Sequence, residues 1–162
     1  METALLVAQL GALSVVTAWL LLGVRDNVLY PDQNRILTSM VVRMELLKRE
    51  HPDAFAQIGH RRIENPALLN TLFWIIVGAE ILVSLVMLVG VGALAGAALG
   101  LLPAAGARAV AVLGAFGFTM IWASFLVAGN HFAYWFCHKE QQFTHYQMTM
   151  WGLGTLIFVV QG

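Results

Sequence analysis

Residues 81–107 read ILVSLVMLVGVGALAGAALGLLPAAGA, and from Ile81 to Ala107 there is no Asp, Glu, Lys or Arg. A helix needs about 20 residues to cross the hydrocarbon core of a bilayer. This run exceeds that length, and three others do the same without a charge: Thr3–Val24, Ala109–Cys137 and Gln141–Gly162. The whole chain follows suit. Across 162 residues 59% are apolar and 11% charged, and mean hydropathy is +0.76. Soluble domains carry about 25% charge, and a chain this small leaves much of its surface wet if water surrounds it. Nine Lys+Arg and nine Asp+Glu do not cover such a surface. A soluble enzyme, a disordered tail and a basic nucleic-acid binder are excluded; the solvent is the lipid bilayer.

Backbone groups in lipid must be satisfied within the segment. The runs therefore predict an all-α, multi-pass integral membrane four-helix bundle in one domain. Its spans cover about 3–24, 66–91, 109–129 and 145–162, with an interfacial loop at 25–65. Met1-Glu2-Thr3 lacks the basic start of a secretory signal, so the first span reads as a retained helix.

The loop holds seven of the nine basic residues and six of the nine acidic ones. Within it Ile36, Leu37, Met40, Val41, Met44 and Leu47 recur at helical spacing opposite Arg35, Lys48 and Arg49. This predicts one amphipathic helix, capped at Asp32 and closed by His51-Pro52, lying on the bilayer or on the bundle. Asn65-Pro66 predicts a capped start for the second span, and Gly129-Asn130 a C-cap for the third. Gly92, Gly96 and Gly100 are four apart and would make a smooth face for helix packing, with a flexible apolar linker as the alternative. Asn130–Thr144 is rich in aromatic and imidazole groups, including Tyr134 and Trp135, as in an interfacial belt. The loop and Lys139 share one side, with Arg108 alone on the other. The positive-inside rule then puts the loop in the cytoplasm.

Few groups carry chemistry. Glu80 lies 14 positions beyond Pro66, about 21 Å along a helix, which predicts a mid-membrane, protonated carboxyl facing the bundle interior. Ser14, Thr17, Thr119 and Thr155 are its expected partners. It serves either as a proton-accepting or quinone-contacting group or as glue between helices. His131, His138 and His145 repeat every seven residues, about 10.5 Å per step, too far for one ion with bonds of about 2.0–2.1 Å. They would meet only if the chain folded back near Lys139–Gln142, adding Cys137 and Glu140. No resident metal or cofactor is expected, and a single cysteine excludes a multi-cysteine site. The five tryptophans, Trp19, Trp74, Trp122, Trp135 and Trp151, read as anchors and bundle filling, or as the lining of a pigment or quinone pocket. No catalytic motif is present.

Three features together resemble the bacterial family of predicted small integral membrane proteins, a domain family of unknown function. They are Asp26-Asn27 after the first span, Asn65-Pro66-Ala67 leading to Ala79-Glu80, and Gly129-Asn130-His131-Phe132 with Tyr134-Trp135 and Gln142. The resemblance implies four helices in the bacterial inner membrane and no established activity. Taken with the composition, it leaves three expectations. The first is a non-catalytic accessory subunit of a larger membrane complex, respiratory or photosynthetic, touching lipid or quinone. The second is a homo-oligomeric proton-coupled carrier or channel acting through Glu80. The third is a haem- or metal-binding electron carrier using His131, His138 and His145.

Overall fold

A computed structural model describes Met1–Gly162, and every regular element in it is helical. The elements are α1 (Glu2–Leu29), α2 (Pro31–Val42), α3 (Glu45–Glu50), α4 (Pro52–Ile58), α5 (Pro66–Ala98), α6 (Ala104–His131) and α7 (Lys139–Val160), with a short 3-10 turn at Gly59–Arg61 after α4. Three of them, α1, α5 and α6, are long and apolar enough to cross a membrane. Helix α7 opens on the polar run Lys139-Glu140-Gln141-Gln142 and turns apolar only from about Tyr146 onward.

The long helices pack side by side, α1 on α5, α5 on α6 and α6 on α7, and lighter contact between α1 and α7 closes the ring. Buried positions on α1 fall at Leu6, Gln9, Leu13, Val16, Leu20 and Asn27, a spacing near the 3.5 residues of a left-handed helix pair. Positions Leu69, Phe73, Val77, Glu80, Ser84, Met87 and Leu94 follow the same rhythm on α5. Outward positions are just as apolar, among them Val15, Leu22, Leu82, Val89, Leu113 and Val127. A water-soluble helix reserves that face for charge; here hydrocarbon is the natural solvent.

Glycines bring the backbones together, though not the ones the four-residue spacing singled out. A methyl at Gly90 would lie 3.0 Å from the Ala111 Cα, at Gly114 3.0 Å from the Met87 Cα, and at Gly152 3.1 Å from the Thr119 Cα. Gly92 meets open space, and Gly96 is covered by the Leu102 side chain. The Gly-rich stretch is helical to Ala98, so the second long helix outruns its expected end at 91. Gly100 terminates it at φ +73°. Leu101 N–H bonds to Gly96 O and Gly100 N–H to Ala97 O, the paired bonds of a Schellman cap.

Two other expected boundaries move. Helix α6 runs past Gly129-Asn130 to His131, and its cap places Ala133, at φ +52°, in the left-handed position. Gly129 is needed four residues before Ala133, where the Tyr134 ring covers it. The amphipathic helix expected from Asp32 to His51 is broken at Met44, at φ +56°. Its hydrophobic pattern is uninterrupted there, and tertiary packing decides, because Met44 and Leu47 turn inward onto Ala133. Asp32 is inside α2 rather than capping it, with Tyr30 at the cap and Pro31 first. Asn65 caps α5 as expected, accepting from Ala67 N at 2.9 Å and Leu68 N at 3.2 Å.

Candidate functional site

Buried polar side chains that bond from one helix to another gather in two layers. At the end far from the loop, buried Arg108 on α6 donates from Nε to Gln9 Oε1 at 3.1 Å and from Nη2 to Glu2 Oε1 at 2.7 Å. Its Nη1 reaches the Gly162 carbonyl at 3.3 Å. Gln9, fully buried, donates from Nε2 to the Gln161 carbonyl at 2.7 Å and the Phe158 carbonyl at 3.2 Å. One guanidinium and one amide thus tie α1, α6 and the end of α7 together.

The second layer holds Glu80, which is 6% exposed. Asn27 Nδ2 donates to Glu80 Oε2 at 2.8 Å, and Asn34 Nδ2 donates to Asn27 Oδ1 at 2.6 Å. The chain of bonds links α5 to α1 and α1 to α2. None of the four hydroxyls expected beside Glu80 serves it. Thr17 and Thr119 donate to their own helix, to Leu13 O at 2.7 Å and Ala115 O at 2.8 Å, a common use of a helical hydroxyl. Ser84, one turn further along α5, is buried with no partner for its Oγ.

Along the helix axes the two layers lie far apart. Gln9 and Asn27 are 18 residues apart on one helix, so the two polar layers are about 27 Å apart, close to the ~30 Å of a hydrocarbon core. Glu80 therefore sits toward the loop end, level with the Arg25-Asp26-Asn27 turn. The first turns of α5 flank α2, where Arg35 Nη1 donates to Asn70 Oδ1 at 3.4 Å.

The histidines lie in three different surroundings. His131 is exposed against Phe132. His138 is buried at the α7 cap, and burial lowers its pKa below the usual histidine value, against a smaller opposing effect of the Glu50 carboxylate. His145 sits among Phe125, Trp122 and Tyr134, at 5.2, 5.6 and 5.8 Å between ring centroids. The Tyr134 hydroxyl lies 3.5 Å from His145 Nδ1; burial, with a smaller contribution from Tyr146, pushes the phenol up to about 12. The ligating side chains that do converge are Glu50, His51 and Cys137, whose donor atoms lie within 4.8 Å of one another. Burial raises the Cys137 thiol, and the neighbouring Glu50 carboxylate adds to the rise.

Of the aromatic residues expected at an interface, Trp135 is 43% exposed and stacks on Phe136, whereas Tyr134 is buried. Trp19 and Trp122 pack edge to face inside the helices, at 5.1 Å. The residues sequence reasoning missed are Asn27, Gln9 and Arg108. Each carried a signal. Arg108 is the one charge between Glu80 and Lys139, Gln9 is one of the few polar side chains of its run, and Asn27 stands beside the charged pair that ends it.

Three long apolar helices with buried polar ties between them define a small all-helical membrane protein. Residues 5–162 match the family model described as predicted small integral membrane protein (DUF2165), and the chain belongs to that family. Neither a curated protein nor a solved structure matches it.

Proposed function

We propose that the chain is a non-catalytic accessory subunit of the bacterial inner membrane, a four-span module that packs against a larger redox complex. The observation that carries this reading is the use made of the buried polar groups. Glu80, Asn27 and Asn34 bond to one another at one end, and Arg108, Gln9 and Glu2 at the other. These groups hold helices together, as polar side chains between membrane helices do, rather than lining a passage. An open cavity of about 560 Å³ lies outside the helix package, between Ile58, Arg61, Asn130, Trp135 and Phe136.

Helix α7 is the fourth span. It lies along α6, and the carbonyls at its end meet Gln9 in the Arg108 layer. A bilayer crossed by α6 is then crossed by α7 as well. Helices α2–α4 lie on the cytoplasmic surface; exposed Ile36 and Leu37 on α2, beside Val28, Leu29 and Tyr30, suit contact with lipid.

Tagged chain extracted from its own membranes in mild detergent tests this by mass spectrometry and a visible spectrum. Stoichiometric recovery with large redox subunits is expected. Recovery as a homo-oligomer alone contradicts it and favours a carrier. One observation supports that second reading: the Ser84 hydroxyl, buried and unpartnered one turn from Glu80, is free to donate and accept hydrogen bonds as a relay would. Glu80→Gln separates the two, since a carrier loses transport while a packing subunit keeps its complex.

A further inference from the structure

The chain has two pairs of adjacent ligating residues at its loop end, Glu50-His51 between α3 and α4 and Cys137-His138 in the turn before α7. They are remote in sequence and come together because a second small core holds them. Met44, Leu47 and Ala133 are buried against one another, with Phe55, Ile58, Phe136 and Cys137 packed around them. Both non-glycine residues of positive φ, Met44 and Ala133, belong to this core. Left-handed backbone is unfavourable for a residue with a side chain, so the packing enforces the juxtaposition.

We propose that Glu50, His51 and Cys137 bind a divalent transition ion of the Zn²⁺ class, which ties the α3–α4 joint to the α6–α7 turn. A thiolate, an imidazole and a carboxylate are the three donor types such an ion takes, leaving a fourth position for water or a further side chain. Donor atoms around a tetrahedral ion lie roughly 3.3–3.8 Å apart. The three here lie within 4.8 Å before any ion draws them in. Glu50 and His51 are exposed and free to swing that last distance. Glu50 now bonds to Arg49 at 2.8 Å, an exposed pair between neighbours that an ion readily displaces. His138, buried and next to Cys137 in sequence, is a candidate for the fourth position. One thiolate and one carboxylate neutralise a divalent ion, which suits a half-buried place beside Phe136, whose ring lies 5.3 Å from that of His51.

The full chain in detergent, stripped with a chelator, is titrated with Co²⁺ and then Zn²⁺. One Co²⁺ per chain with a thiolate-to-cobalt charge-transfer band, displaced by Zn²⁺, is expected. Cys137→Ser abolishes the band, and His51→Ala weakens Zn²⁺ binding at least tenfold, with helicity unchanged in both. Exposed His60 is the control, and His60→Ala binds as wild type does. A folded wild-type chain without the band, or His51→Ala binding within twofold of wild type, overturns the proposal. Should Cys137→Ser fail to fold, alkylation of wild-type Cys137 decides the matter: Zn²⁺ slows it at least tenfold, and an unchanged rate refutes the site.

Discussion

Replacing Arg108 by alanine removes three bonds at once: to Gln9 Oε1, to Glu2 Oε1 and to the Gly162 carbonyl. The Arg108 side chain is 10% exposed, whereas that of Glu2 is 59% exposed, so the three contribute unequally. A hydrogen bond between membrane helices contributes about 0.6 kcal/mol on average and up to ~1.7; two such bonds and a weaker exposed arm put Arg108→Ala at about 1–4 kcal/mol. Glu2→Ala breaks only the solvent-exposed arm, for which about 0–1 kcal/mol is expected. Unfolding in mixed micelles of increasing SDS fraction, followed by tryptophan fluorescence and circular dichroism, measures both. A double-mutant cycle of Arg108→Ala with Gln9→Leu then isolates the link between α6 and α1. Arg108→Ala within about 0.5 kcal/mol of wild type, or Glu2→Ala losing as much as Arg108→Ala, refutes this role for Arg108.

The other polar layer responds to which partner is removed. Glu80→Gln keeps an acceptor for Asn27 and loses less than about 1 kcal/mol, while Asn27→Leu strands a buried carboxyl and costs about 1–3 kcal/mol, both read from the same micelle titration. Glycine positions divide by what a side chain meets. Gly114→Leu drives into the Met87 backbone and costs at least about 1–3 kcal/mol, and Gly92→Leu, facing open space, stays near wild type. Tyr134 gives a pH dependence. Its folded pKa of about 12 stands above its ordinary 10.0, so the folded state holds the proton longer, and stability falls as pH rises from 10 toward 12. Tyr134→Phe removes that alkaline loss, and thermal scans across this range check it.

The sequence conveyed the membrane class and three of the long helices because hydrocarbon imposes a rule on every residue, and a charge-free run shows it directly. Capping chemistry was readable where a side chain does the capping, as at Asn65. The helix breaks at Met44 and Ala133 were not, since packing forces two ordinary residues into a left-handed backbone against their local preference. Burial of Glu80 followed from the scarcity of charge around it. Its partner did not, because nothing in spacing says that α5 slides far enough along α1 to bring residue 80 level with residue 27. The glycine repeat misled for a similar reason. A spacing of four defines a helix face but not whether a neighbour lies against it. The Glu50–His51–Cys137 group was hidden among exposed loop residues until the two loops were seen together.

The proposed topology has α7 crossing the bilayer beside α6, with the loop assembly at one face and the Arg108 layer at the other. Two single-cysteine chains in a Cys137→Ser background test it, one with Lys139→Cys and one with Gln161→Cys, treated with a membrane-impermeant maleimide in intact and in inverted vesicles. Labelling of the two positions from opposite faces, with 139 on the cytoplasmic side, is the predicted result. Labelling of both from the same face contradicts it.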